Sequence, residues 1–273
     1  MRWQALSALA ETDLVLGRLV EAHSDADAIL HELEGRRVER GRTYGVWAAQ
    51  GPLLRWKGGR LTGVKDWCSG ATLLSHALVT TSDGLLVEVD LHQPEVVPGT
   101  RTWASQGMLG ADTRSVRFDG AHARPVEGDY LERPGFWAGG IGVAACWYGG
   151  AASVVLPLQA RVDSHLDDAH AAAHLGACAV LLEACRSVLR EAAQQVDAGG
   201  VSMAQALRAR ALVADTSVEV IRRVGRGVGP APLAQNRFHA RQVADLEVYV
   251  RQDHAERDLA VIGADCTNRS WSL

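Results

Sequence analysis

Between residues 43 and 118 apolar and polar positions alternate in short runs, and after residue 125 the apolar positions recur every three and four residues instead. The first texture predicts strands over 44–48, 53–57, 61–65, 74–80, 85–90 and 115–118, with Gly58-Gly59, Ser82-Asp83-Gly84 and Pro98-Gly99 as turns. No helical stretch separates these runs, so the sheet is expected to be largely antiparallel, a small barrel or sandwich.

The second texture predicts four long helices. The first, over 136–160, is rich in glycine and alanine, and a helix of that composition survives through close packing. The second, over 166–197, carries Leu175, Cys178, Leu182, Cys185, Leu189, Ala192 and Val196 as one apolar seam. A third opens on Ser202 and Gln205, a capping-box pair, and runs to Gly225; a fourth spans 237–261. Residues 5–33 read as a further helix closed by Gly35. The fold class is therefore α+β: a partial N-terminal helical segment over 1–40, a small antiparallel β-domain over 41–124, and a C-terminal four-helix bundle over 125–273.

Composition narrows the partners. A formal charge of -4 offers no basic face for nucleic acid, and 47% hydrophobic residues supply a core. Five cysteines, without a CxxC, indicate neither a disulfide framework nor a zinc site. The apolar stretch 141–158 is interrupted by glycines, Ser153 and Pro157, so no membrane span is expected. A soluble cytoplasmic protein with small-molecule and protein partners is anticipated.

Candidate chemistry is scattered. Gly225, Gly227 and Gly229 follow a helix rather than a strand, which favours a helix-ending turn over a dinucleotide loop. His165, His170 and His174 crowd one helix start beside Asp163, Asp167 and Asp168; without a third ligand at metal spacing, capping and charge balance are expected, and no metal. His254 beside Asp253 could serve as a general base or as a hydrogen-bonded histidine at a bundle end. Trp47 and Trp67 stand on neighbouring β-segments flanked by small residues, a pattern that suits a planar ligand or two core tryptophans equally.

The order of segments adds a resemblance. Strand 44–49, then Gly63-Val64-Lys65-Asp66-Trp67-Cys68-Ser69, then Leu78-Val79-Thr80, resembles the middle domain of acyl-CoA dehydrogenases, where Tyr-x-Val/Ile-Thr-Glu-Pro precedes Gly-x-Lys-x-Trp-Ile-Thr/Ser. Val196-Asp197-Ala198-Gly199 is similar to a turn ending a long helix of that family, and 211–229 to the next helix with its terminal glycine loop. The resemblance implies FAD contacted by Tyr44, Val46, Trp47, Trp67, Cys68 and Ser69, with Gly225, Gly227 and Gly229 offered to an adjacent subunit of a homodimer or homotetramer. It further implies an acyl-CoA or similar acyl thioester as substrate, α,β-dehydrogenation in fatty acid metabolism, and an electron-transfer flavoprotein as a partner.

The sequence also departs from that pattern. The family's N-terminal helical domain is represented only before Gly41, Trp47-Ala48-Ala49 replaces Thr-Glu-Pro and removes a flavin-bonding hydroxyl, and Gln242 stands where an Arg-Asp pair is expected after Arg241. Val250 occupies the place of the usual catalytic glutamate; some relatives carry the base at the start of the first bundle helix instead, and there the resemblance implies Glu132, one place from the expected position in Leu131-Glu132-Arg133-Pro134-Gly135. Alternatives are a flavin-dependent monooxygenase of the same fold using Asp253 and His254, or a degenerate subunit that pairs with a complete dehydrogenase.

Overall fold

The computed structural model describes residues 1–267. The single N-terminal helix expected over 5–33 is two: α1 (Arg2–Thr12) and α2 (Leu14–Glu34). The break falls at Asp13, whose backbone is extended and whose carboxylate accepts the Leu16 amide at 3.0 Å, starting α2. Gly17 permits the turn, since a Cβ there would lie 2.8 Å from that of Ala10. Gln242 then serves the joint from the far end of the chain. Its Nε2 donates to the carbonyls of Ala10 (3.2 Å) and Glu11 (3.0 Å) and its Oε1 accepts from Leu14 at 3.3 Å. These are backbone groups that two abutting helix ends leave orphaned.

Two compact units share the chain. The helical unit comprises Met1–Gly17, Gln106–Met108 and everything from Trp137 onward; the β-unit comprises Arg18–Ser105 and Leu109–Phe136. In the helical unit α3 (Phe136–Ser164), α4 (Ala169–Asp197) and α5 (Met203–Val228) follow the expected order. The fourth helix is divided into α7 (Arg237–Tyr249) and α8 (Glu256–Asp265), with short α6 (Ala231–Gln235) before them. The division comes at Val250–Gln252, a tight 3-10 turn, and at Ala255, whose φ of 47° cannot continue an α-helix. α5 runs three residues past Gly225 because Gly227 lies against the Leu158 side chain, where a Cβ would approach to 2.5 Å.

The glycines of α3 do what such a composition demands. A Cβ on Gly149 would meet the Ser7 carbonyl at 2.1 Å, and one on Gly150 would press on Leu14 and Leu246. α1 and α2 therefore begin flush against the α3 backbone. On α4 the predicted seam is the covered one: Cys178, Cys185 and Ala192 are buried. The opposite face, which includes Val180 at 71% exposure, is bare. Asp168 caps α4 through the Ala171 amide and pairs with Arg161 at 2.7 Å, so an aspartate rather than a histidine holds the helix start.

The β-unit is a seven-stranded arrangement ordered β1 (Tyr44–Trp47), β4 (His76–Thr80), β5 (Leu86–Asp90), β7 (Arg114–Pro125), β3 (Arg60–Cys68), β2 (Leu54–Lys57), with β6 (Val96–Pro98) also on β7. All pairs are antiparallel except β1 with β4. β6 and the second half of β7 were not legible as strands, the latter because Gly120, at a φ of 79°, interrupts the alternation. Alternation sorts the side chains. Tyr44, Leu78 and Leu86 face α2 through Ala26, Ile29 and Leu30, whereas Trp47, Val79, Val87 and Cys68 fill the opposite core with Phe118.

The two kinds of glycine on these helices make a paired test. Gly149→Ala should lower unfolding stability by about 1–3 kcal/mol through overpacking, whereas Gly176→Ala, which has open space around it, should raise it by about 1 kcal/mol. Urea midpoints of the two variants against wild type decide it.

Candidate functional site

β3 runs paired to β7 as far as Lys65, opposite Val116, and resumes pairing at Cys68, opposite Arg114. Asp66 and Trp67 thus face the single residue Ser115, a bulge that re-aims a side chain. Lys65 is fixed before the bulge: its buried ammonium donates to the carbonyl (2.7 Å) and hydroxyl (2.9 Å) of Thr80 on β4, and burial lowers its pKa. Within the bulge Trp67 takes a φ of 61° and stands 63% exposed. Such backbone is unusual for a bulky residue and costs of order 1–3 kcal/mol, so neighbouring bonds must enforce it.

Those bonds form a clasp between residues 69–72 and 111–114. Gly70 and Ala71 amides donate to the carbonyls of Ala111 (2.7 Å) and Asp112 (3.2 Å). The Asp112 carboxylate accepts the Thr72 amide (3.0 Å) and hydroxyl (2.7 Å) on one oxygen and Arg114 Nε (2.8 Å) on the other. The Trp47 indole donates to the Ser69 carbonyl at 3.0 Å from beneath. Gly70 and Ala71 therefore spend their amides on the clasp and Ser69 donates its own to the Trp67 carbonyl at 3.0 Å, so none of the three is left for a ligand edge. Beside them lies a hydroxyl pair: buried Ser69 and half-buried Thr113 stand 3.0 Å apart and share one hydrogen bond, with one further O–H proton between them.

Beside Trp67 stands Trp103, half-buried on the irregular segment after β6, its ring at 88° to that of Trp67 with centroids 6.3 Å apart. The corner thus holds an exposed indole in edge-to-face contact with a second, half-buried one, near a hydroxyl pair.

The other β-unit candidates are divided among different surroundings. Tyr44 is fully buried, its hydroxyl donating to Glu88 at 2.6 Å and its ring stacked on His76. Burial, with Glu88 adjacent, pushes its pKa up to about 12. A groove of about 790 Å³ opens on that side, lined by Arg36, Arg42, His76, Glu88 and Arg124 among others, and not by Trp67. Val46 is half-buried with α2, while Trp47 and Cys68 lie in the core, where burial drives the Cys68 thiol well above its ordinary pKa. Glu132 is exposed on the 126–135 loop, its amide held by Asp129 at 3.3 Å. Its neighbour Arg133 is the buried anchor there, paired with Asp25 (2.9 Å) and Glu32 (3.0 Å).

In the helical unit Gly225 and Gly227 are helical and Gly229 is the C-cap, so this stretch ends a helix as its sequence implied. His254 faces Asp258 at 3.5 Å, not Asp253, which accepts the Ala255 amide at 3.1 Å. Among the described residues no three histidine, cysteine or carboxylate side chains are grouped to hold a metal ion. Gln242 serves the α1–α2 joint and donates to Ser153 at 3.0 Å.

No family model and no curated protein matches this sequence. Solved structures match closely in shape. The chain superposes on TdsC, a dibenzothiophene monooxygenase of Paenibacillus sp. A11-2 solved with FMN and indole, at TM-score 0.82 and 16% identity, covering 99% of this chain and 84% of that one. Glutaryl-CoA dehydrogenase of Mycobacterium smegmatis gives TM-score 0.84 and 16% identity over 99% of this chain and 80% of that one. Butyryl-CoA dehydrogenase of Megasphaera elsdenii gives 0.82 and 16% over 96% and 80%. The chain has the acyl-CoA dehydrogenase fold. At these identities the likeness establishes the acyl-CoA dehydrogenase architecture, and the chemistry has to be argued from the side chains.

Trp103, Asp112 and Thr113 were not singled out from sequence. Asp112-Thr113 before a strand carries a turn signal that could have been read; Trp103, on a segment without periodicity, carries none. Burial tends to raise the Asp112 pKa, but the bonds from Thr72 and Arg114 outweigh it and hold it below the ordinary carboxylate value. A depressed folded pKa stabilises above the unfolded pKa and is lost as pH falls through the folded one. Asp112→Asn should therefore cost about 1–2 kcal/mol at pH 7 and show a smaller fall in urea midpoint between neutral and acid pH than wild type.

Proposed function

We propose that this chain is a flavin-dependent oxidoreductase that holds FAD at the 67–69 corner. The carrying observation is Trp67, kept exposed in strained backbone by a clasp that no packing need explains. Trp67 would cover one face of the flavin ring, and the Ser69–Thr113 pair would donate to its polar edge, replacing the hydroxyl lost at 47–49. Trp47 and Cys68 act from behind, Trp47 holding the Ser69 carbonyl and Cys68 donating to the Lys65 carbonyl at 3.2 Å, while Val46 packs on the α2 side of the strand. Tyr44 steadies β1 through Glu88. A bound flavin supplies the redox chemistry; the chain positions, shields and moves protons.

The first reaction assigned is α,β-dehydrogenation of an acyl thioester such as an acyl-CoA, with Glu132 removing the α-proton. Its carboxylate is exposed and makes no hydrogen bond among the described residues, leaving it free to accept one. The second reading is monooxygenation on the same fold, with Asp253 and His254 in play. It is favoured by the corner's own carboxylates, since Asp112 is fully engaged and Asp66 accepts the Ser115 hydroxyl. A homodimer or homotetramer suits the exposed Ala172, Ala173, Gly176, Ala179 and Val180 of α4, and the Gly225–Gly229 helix end would then be offered to a neighbouring flavin. An electron-transfer flavoprotein would take the electrons in the first reading.

The purified protein should be yellow, and anaerobic octanoyl-CoA should bleach it. Glu132→Gln should then slow bleaching by about 10²–10⁴-fold with colour retained. Colour without bleaching would favour monooxygenation, and a protein that stays colourless after incubation with FAD would leave the subunit reading in place of an enzyme.

A further inference from the structure

The groove beside Tyr44 does not include Trp67 and carries chemistry of its own. At about 790 Å³ it has the size of a small-molecule site, and it lies wholly within the β-unit. One wall is Trp56. Its indole N–H donates to the Ala123 carbonyl at 2.9 Å, which fixes the ring and leaves only apolar surface for a ligand. His76 supplies an acceptor. Ser75 gives its one hydroxyl proton to the Thr43 carbonyl (3.0 Å), so in the 2.9 Å contact between Ser75 and His76 the imidazole Nδ1–H is the donor. Burial, with Arg42 near, lowers the His76 pKa, and the neutral ring keeps a lone pair on Nε2. His76 is only 9% exposed and stacked on Tyr44; it lines the groove, and its Nε2 makes no hydrogen bond among the described residues.

The cations are fixed as well. Arg36 donates from Nε to Glu34 and from Nη2 to Glu88, both at 2.7 Å, and Arg124 bonds the same two carboxylates. Nη1 of Arg36 makes no hydrogen bond among the described residues, and Arg42 pairs with Glu39 at 2.7 Å through Nη2. The lining arginines are matched by Glu39, Glu88 and Asp90, so the groove has no surplus charge for a polyphosphate and suits a single anionic group.

We propose that this groove binds a flat aromatic acid bearing a ring hydroxyl or N–H. Its ring lies on Trp56, its carboxylate takes the open N–H groups of Arg36 and Arg42, and its donor satisfies His76 Nε2. A simple anion would meet a lone pair at His76, and an uncharged ring would leave the guanidinium groups unanswered; the ligand needs both ends. The site does not rest on the flavin reading.

Isothermal titration calorimetry of the whole chain with 4-hydroxybenzoate and 6-hydroxy-2-naphthoate tests it. The better of the two should bind with Kd below about 1 mM and about tenfold more tightly than the same acid without its hydroxyl, equivalent to about 1.4 kcal/mol. His76→Phe, which keeps a flat ring on Tyr44, should remove that difference while leaving the hydroxyl-free acid within about twofold of wild type. Arg36→Gln and Trp56→Leu should each weaken both hydroxy acids, and Trp67→Gly should weaken neither. The inference is overturned if neither hydroxy acid binds the folded wild type, if the hydroxyl brings no preference or one that His76→Phe leaves intact, or if Trp67→Gly abolishes binding.

Discussion

The Asp112 carboxylate is the interaction on which the candidate site depends. Its two oxygens join Thr72, on the turn that leaves β3, to Arg114, at the start of β7. Asp112 itself sits at a φ of 45°, backbone that a residue with a side chain avoids, while Gly70 takes its φ of 72° without cost. The strain converges on Trp67. Without the clasp, β3 could continue its alternation and turn Trp67 into the sheet; with it, an indole that burial would favour faces outward. Lys65, bonded to Thr80 across the core, fixes the point where the strand stops being regular.

The helical unit solves a different problem, namely how helix ends can be buried without orphaned backbone groups. α3 gives up side chains at Gly149 and Gly150 so that α1 and the start of α2 can lie against its backbone. One buried Gln242 then serves three carbonyl and amide groups of the α1–α2 joint. Removing that side chain would leave several polar groups unmet at once, each costing roughly 1–3 kcal/mol. The departure from the Arg-Asp pattern at this position thus has a structural use. Arg241 remains beside it, paired with Asp13 at 2.7 Å and Asp245 at 3.3 Å.

Much of this was legible in the sequence. The change from alternation to a three-and-four spacing gave the β-unit and the bundle helices, and the order of segments gave the fold. The failures have local physical causes. Asp13 and Ala255 break helices whose apolar stripe runs on uninterrupted, because periodicity reports which face is covered and not where backbone turns. Tyr44, read beside Trp47 as a ligand contact, points to the other side of β1, as residues three apart on a strand must. The small residues after Trp67 were read as amides open to a ligand, but Gly70 and Ala71 find their partners at 111–112, some forty positions later, a pairing that no local pattern announces. Trp103 was invisible because its segment carries no periodicity.

Trp67 stands in strained, exposed backbone, which the proposed flavin site puts to use. Trp67→Gly separates the strain from the use, since glycine accepts a φ of 61° at no steric cost. The direct measurement is FAD affinity of Trp67→Gly against wild type, with urea unfolding of the same two flavin-free samples alongside. A urea midpoint equal to or above wild type is expected, together with FAD binding weakened by about tenfold or more, as loss of one aromatic stacking partner implies. Unchanged FAD affinity in a folded Trp67→Gly protein would contradict the proposed flavin site.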